Sequence, residues 1–185
     1  MSKQSVKKGD LLIAEPFLGD RNFERSVVLL CEHNDKGSFG FVLNQKANVS
    51  LKDVLEEDIL EDVPLFVGGP VQQDTLHFIH RTPDLFDNTV EIAKGIFWGG
   101  DYEQLKAYLR VGKLQEQDIR FFLGYSGWGE EQLDQELGQN SWVVSASDAK
   151  FIFDTEPDQF WRGVLRRMGG KYKVMSHYPT DPRLN

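Results

Sequence analysis

Residues 9–44 read "GDLLIAEPFLGDRNFERSVVLLCEHNDKGSFGFVLN", and this stretch decides the fold. Within it, "GDLLIAE" (9–15) and "SVVLLCEH" (26–33) are short runs rich in Leu, Val and Ile, set off by Gly, Pro and charge, the pattern of buried strands. The polar "EHNDKGS" then leads into "FGFVLN". Asn34, Asp35 and Gly37 therefore predict a hairpin turn, with Phe39–Asn44 as the second hairpin strand.

Beyond this unit, Ser50 with Asp53 forms a capping-box start, and Leu51, Val54, Leu55 and Ile59 recur at helical spacing. Strand character returns in "VPLFVGGPVQQDTLHFIHRTPD", broken by Gly68, Gly69 and Pro70, and in "NTVEIAKGIFWGG". A helix opens near Asp101, shows Leu105, Tyr108 and Leu109 on one face and stops before Gly112. "DIRFFLGY" and "SWVVSAS" predict strands, and "EEQLDQELGQN" between them predicts a helix with Gly138 as its left-handed cap. Thr155 and Asp158 suggest a capping box around Pro157 for a last helix that buries Phe160, Val164, Leu165 and Met168 and ends at Gly169. Residues 1–8 and 171–185 are expected to be irregular. Strands outnumber helices without alternating with them, so the fold class is α+β, a single domain with a mixed, mostly antiparallel sheet and packed helices.

Composition narrows the function classes. The chain has 185 residues, 40% of them hydrophobic and 12% aromatic, enough for one domain with a sizeable core. A formal net charge of −8 makes nucleic acid a poor partner. The single Cys31 excludes an intramolecular disulfide and suits a reducing, cytoplasmic setting. "LLIA" is too short for the core of a signal peptide, and "VVLLC" is far below the about 20 apolar residues of a membrane span.

No catalytic set is complete. "GYSGWG" (124–129) resembles the Gly-x-Ser-x-Gly elbow of a serine nucleophile, but Trp128 stands where the second glycine belongs. Cys31 and His33 fall on one face of a regular strand, although a cysteine closing an apolar run reads as a small buried hydrophobe. His77 and His80 face opposite sides and cannot chelate one ion together, so no metal or cofactor is expected. The acids between Asp53 and Asp62 read as a solvated surface. Arg162, Arg166, Arg167, Lys171 and Lys173 form a weak basic patch.

The residues quoted at 9–44, "FVGGPV", "RFFLGYSGWGEEQLDQEL" and "FWRGVLRRMGG" together resemble the YqgE/AlgH family of bacterial proteins. The marks are Asp20, Phe23, Arg25 and Ser26 before the second strand, Gly68 to Val71, and Gly124 to Trp128. The resemblance implies a partly barrel-like mixed sheet, a cytosolic setting and no established activity, and it supplies no catalytic residue. It also implies alanine as the usual residue at position 126, so Ser126 is not expected to be a nucleophile. A role in regulating alginate synthesis gives the family part of its name, and a DNA-binding regulator acting through Arg166, Arg167 and Lys171 is one alternative. A second is an enzyme or binder of a small anionic metabolite, cradled by Arg25, Ser26, Gly68, Gly69, Ser126, Gly127 and Trp128. The leading expectation is a non-catalytic binding or regulatory protein, its partner an unknown protein or a small anion.

Overall fold

Strand β1 (Asp10–Ala14) is buried along its whole length and pairs antiparallel with β2 (Val27–Asn34), Leu11 opposite Leu29. A tight turn at Asp35 and Lys36 joins β2 to β3 (Gly37–Val42), and Asn34 Oδ1 accepts from the Lys36 N–H at 2.9 Å, as an Asx turn requires. The hairpin expected from the sequence is thus present, with its second strand closer to the turn. Register slips between Leu30 and Glu32, which leaves Cys31 as the extra residue of a β-bulge.

The computed structural model describes residues 5–60, 62–181 and 183. Residues 1–4 of the expected irregular start lie outside them. Helix α1 (Leu51–Leu55) opens with the expected capping box: Asp53 N–H donates to Ser50 Oγ, and Asp53 Oδ2 accepts from the Ser50 N–H. It closes after five residues at left-handed Glu56 (φ 52°), so Val54 stays exposed rather than joining Leu51 in the core. The chain continues through β4 (Leu65–Val67), β5 (Val71–His80), β6 (Val90–Ala93), β7 (Ile96–Trp98) and helix α2 (Tyr102–Arg110). It ends with β8 (Ile119–Trp128), α3 (Gln132–Gly138), β9 (Trp142–Ala146), α4 (Ala149–Asp154), α5 (Phe160–Met168) and α6 (Gly170–Met175).

The nine strands of the described residues join one curled, half-barrel sheet in the order β6-β7-β5-β8-β3-β2-β1-β9, with β4 added beside β8. The β4–β8 pairing is parallel and the other pairings are antiparallel, in agreement with an α+β fold. Alternation along the strands divides the core. Leu11, Ile13, Leu29, Phe41 and Phe122 face α4 and α5. On the opposite face, Leu12, Val28, Leu30 and Val42 meet α3, while Phe78 and Phe121 meet α1 and α2.

Four local expectations are corrected. Residues 124–128 are not a turn between strand and helix but the second half of β8, paired with β3 from Ser126↔Gly40 to Trp128↔Ser38. Gly138 is the last helical residue of α3, and left-handed Asn140 (φ 58°) turns the chain instead. Thr155 does not cap the last helix; it ends α4, a helix unmarked in the sequence reading, and a 3-10 turn (Pro157–Gln159) without a side-chain cap precedes α5. Residues 170–175, mostly within the expected irregular tail, form α6.

Candidate functional site

The glycine frame around Ser126 is packed shut. Ser126 is 0% exposed and its Oγ donates to the Gly68 carbonyl at 3.0 Å, which also accepts from the Val42 N–H at 2.8 Å. A Cβ on Gly69 would meet the Tyr125 carbonyl carbon at 2.3 Å, so glycine is there to let two backbones touch. Gly68, Gly69 and Ser126 are therefore brought together as a sheet contact. No histidine hydrogen-bonds the Ser126 hydroxyl among the described residues, and a nucleophile needs that base.

Trp128 lies 5% exposed, stacked with Phe23 at 6.2 Å and edge-on to Trp142 at 5.9 Å. Both indole N–H groups donate to one oxygen of Glu136, at 2.9 and 2.7 Å, which fastens α3 to the sheet. Arg25 belongs to another neighbourhood: its guanidinium sits over Trp161 at 4.4 Å, and Nη2 donates to the carbonyls of Tyr178 and Pro179. Ser26 follows it, 4% exposed. Of the cradle residues predicted from sequence, only Trp128 borders one of the described clefts, beside Lys36 and Phe39.

Cys31 is 2% exposed in the core beside Leu29, and burial pushes its thiol far above the usual range. The bulge at Cys31 corrects the same-face expectation. It inverts the alternation, so that Nδ1 of His33 meets Ser38 Oγ at 2.7 Å on the opposite face. His77 and His80 do face opposite sides. His77 packs on Phe41 and Tyr125, and His80 packs on Phe86. Among the described residues, no group of three or more His, Cys, Asp or Glu could hold a metal ion. Arg167 of the basic patch is engaged by Asp148 at 3.1 Å and stacked on Phe151. In the acidic run, Glu61 lies outside the described residues, and Glu57 binds Arg110 and Lys106 of α2.

A cleft with a buried cation in its lining lies elsewhere. A cleft of about 400 Å³ opens between β4, the start of β8 and the α4–α5 connection, lined by Lys46, Phe66, Glu116, Arg120, Asp154 and Glu156 among others. Arg120 is 9% exposed. Strand alternation turns it to the face covered by α4 and α5, where the rings of Phe66 and Phe160 each lie 5.3 Å from the guanidinium. Nε donates to the Ile152 carbonyl and Nη2 to the Thr155 carbonyl, both at 2.9 Å, so the side chain holds the C-terminal end of α4. No carboxylate comes within ion-pair distance of it among the described residues, and its Nη1 has no hydrogen bond. Burial draws Arg120 below its ordinary value, opposed by the fields of Glu156, Glu116 and Asp154. It remains a cation, since arginine stays charged in proteins.

The likeness carried by the sequence motifs holds for the whole chain. A family model described as AlgH-like, DUF179, matches residues 11–173. The chain belongs to the AlgH-like family. It is 51% identical over 97% of its length to a UPF0301 protein of Cytophaga hutchinsonii, covering 100% of that relative. It is 43% identical to one of Chlorobium limicola, covering 97% of this chain and 96% of the other. The solution structure of the AlgH protein from Pseudomonas aeruginosa aligns with a TM-score of 0.74 at 28% identity, covering 97% of each chain. A crystal structure from Corynebacterium diphtheriae aligns at 0.78 and 25% identity, over 96% of this chain and 95% of the other.

The half-barrel implied by the family resemblance is thus present, and function is not established for these AlgH-like relatives. No helix of the described residues is long and apolar enough to cross a membrane. Arg120 was missed by sequence reading, yet its signal was there: a lone cation inside the apolar strand "DIRFFLGY".

Proposed function

We propose that this AlgH-like chain is a cytoplasmic, non-catalytic binding protein whose ligand is a small carboxylate held in the Arg120 cleft. One observation carries the reading: a guanidinium nine-tenths buried at the cleft, between two aromatic rings, with no carboxylate of the described residues paired to it. A buried charge is costly without a counter-charge, and a planar guanidinium with a free edge matches the two oxygens of a carboxylate. Lys46 adds a second cation to the lining, whereas Glu116 and Glu156 disfavour a multiply charged anion. A monoanionic carboxylate that carries its own ammonium group satisfies both sets, so amino-acid-like zwitterions are the ligand class.

A non-catalytic role rests on the chemistry that surrounds the cleft. Among the described residues, none of its carboxylates, Lys46 or the Thr155 hydroxyl is hydrogen-bonded to another as a nucleophile–base pair. The cytoplasmic setting is supported by a lone cysteine kept as a buried thiol. Calorimetry with a panel of amino acids, simple carboxylates and phosphates tests the reading. A zwitterionic carboxylate should bind, and Arg120→Gln should weaken it at least about tenfold while circular dichroism stays native. Binding that is equally strong in Arg120→Gln rejects the site.

A further inference from the structure

Arg25 is the second cation whose surroundings the fold does not explain by charge pairing. It enters β2 in the left-handed region (φ 50°), a conformation that few residues other than glycine adopt. Its Nη2 donates to two successive carbonyls of the C-terminal segment, those of Tyr178 and Pro179. Among the described residues its buried Nε has no partner, and one residue on, the buried Ser26 Oγ has none either. Trp161 lies under the guanidinium at 4.4 Å, and the charge of Arg162 is close enough to oppose that of Arg25. Glu24 acts in the other direction from a distance, but no carboxylate among the described residues forms an ion pair with either arginine. Two neighbouring cations without an anion cost energy in the closed state.

The segment that covers Arg25 is held by modest contacts. Tyr178 is 39% exposed and stacks on Phe17, itself 38% exposed, at 6.1 Å. The two carbonyls present only partial negative charge to the guanidinium, at a place where an oxyanion would present full charge to it.

We propose that Arg25, on the Trp161 platform and beside the unpartnered Ser26 hydroxyl, forms a second site for a phosphate-class oxyanion. In the resting chain this site is closed by its own C-terminal segment, with the Tyr178 and Pro179 carbonyls standing where the anion's oxygens bind. Segment and anion then compete for one guanidinium, so weakening the segment tightens the anion. This site is separate from the Arg120 cleft and does not depend on it.

The experiment titrates inorganic phosphate and pyrophosphate into the full-length protein, read by calorimetry and by phosphorus NMR line width. Three chains are compared: wild type, Tyr178→Ala and Arg25→Gln/Tyr178→Ala. Tyr178→Ala should bind pyrophosphate about fivefold more tightly than wild type, the scale of one lost ring contact. The added Arg25→Gln should abolish that gain. If Tyr178→Ala fails to fold, Phe17→Ala removes the same stack from the other side. The proposal is overturned if a folded variant lacking the stack binds no better than wild type, or if the gain survives Arg25→Gln.

Discussion

The Ser126 hydroxyl donates to the Gly68 carbonyl at 3.0 Å in the interior of the sheet, bridging residues that are 58 apart in sequence. The one serine that looked chemical is a rivet between β8 and the β4–β5 connection. Gly68 O keeps its bond from Val42 N in Ser126→Ala, so the change should cost no more than about 1 kcal/mol. Gly69→Ala drives a Cβ into the Tyr125 backbone at 2.3 Å and should cost about 3 kcal/mol or more. Urea titration of both variants checks the contrast.

His80 should make stability fall on mild acidification. The ring is 0% exposed; its Nε2 donates to the Gly99 carbonyl at 2.9 Å, and its Nδ1 accepts from the Thr82 N–H at 3.3 Å. That pair of bonds fixes the neutral form, and burial holds the imidazole below its ordinary value. The unfolded chain, titrating near about pH 6.5, takes up its proton first. Stability is therefore full above that pH and declines as the pH drops toward the lower folded value, by at most about 1.4 kcal/mol per pH unit from this group. Urea midpoints at pH 7.5 and 5.5 should differ in wild type and draw together in His80→Gln. His77, also lowered by burial, contributes in the same direction.

Glu136 should be the most sensitive acid of α3. One carboxylate oxygen accepts both indole N–H groups, and the other accepts from Gln132 at 3.1 Å. In Glu136→Ala both indole N–H groups and the Gln132 amide lose their acceptor. A loss of about 1–3 kcal/mol is expected, with a changed near-ultraviolet dichroism from Trp128 and Trp142. An unchanged aromatic spectrum would contradict this contact.

Cys31 should resist a disulfide reagent at pH 8 while the protein is folded. Thiolate is the reacting species, and burial in the core disfavours it. Labelling should become complete in denaturant. Fast labelling of native protein would mean that the β2 bulge opens.

Sequence made visible whatever was decided within a few residues. The β2–β3 turn depends on Asn34 and Gly37, the start of α1 on Ser50 and Asp53, and α2 on Asp101, whose carboxylate accepts from the Gln104 N–H at 2.9 Å. The errors arose where distant chain overrode local composition. Glycines 124 and 127 suggest a turn by themselves, yet pairing of Phe39 with Gly127 and Gly40 with Ser126 extends β8 through them. Gly124 (φ 65°) sits opposite the irregular start of β5, where the register jumps between Val71 and Leu76. α4 is too short, at six residues, to display a helical period, and the Asp148 cap was its one local sign. Arg120 stood out by type, but its role depends on carbonyls 32 and 35 residues downstream. Arg25 was singled out from sequence, whereas its contact with the C-terminal segment spans 153 residues and left no local trace.

The pairing of β1 with β9 sets a kinetic consequence. Leu12 meets Val144 and Ala14 meets Trp142, so the first strand made waits for the last of the described strands before its second edge is covered. β8, which joins β3, β4 and β5, emerges only after residue 119. Such non-local closure places the chain among slow folders for its size, and on the ribosome the β1–β3 meander must persist with an open edge until the final quarter of the chain emerges.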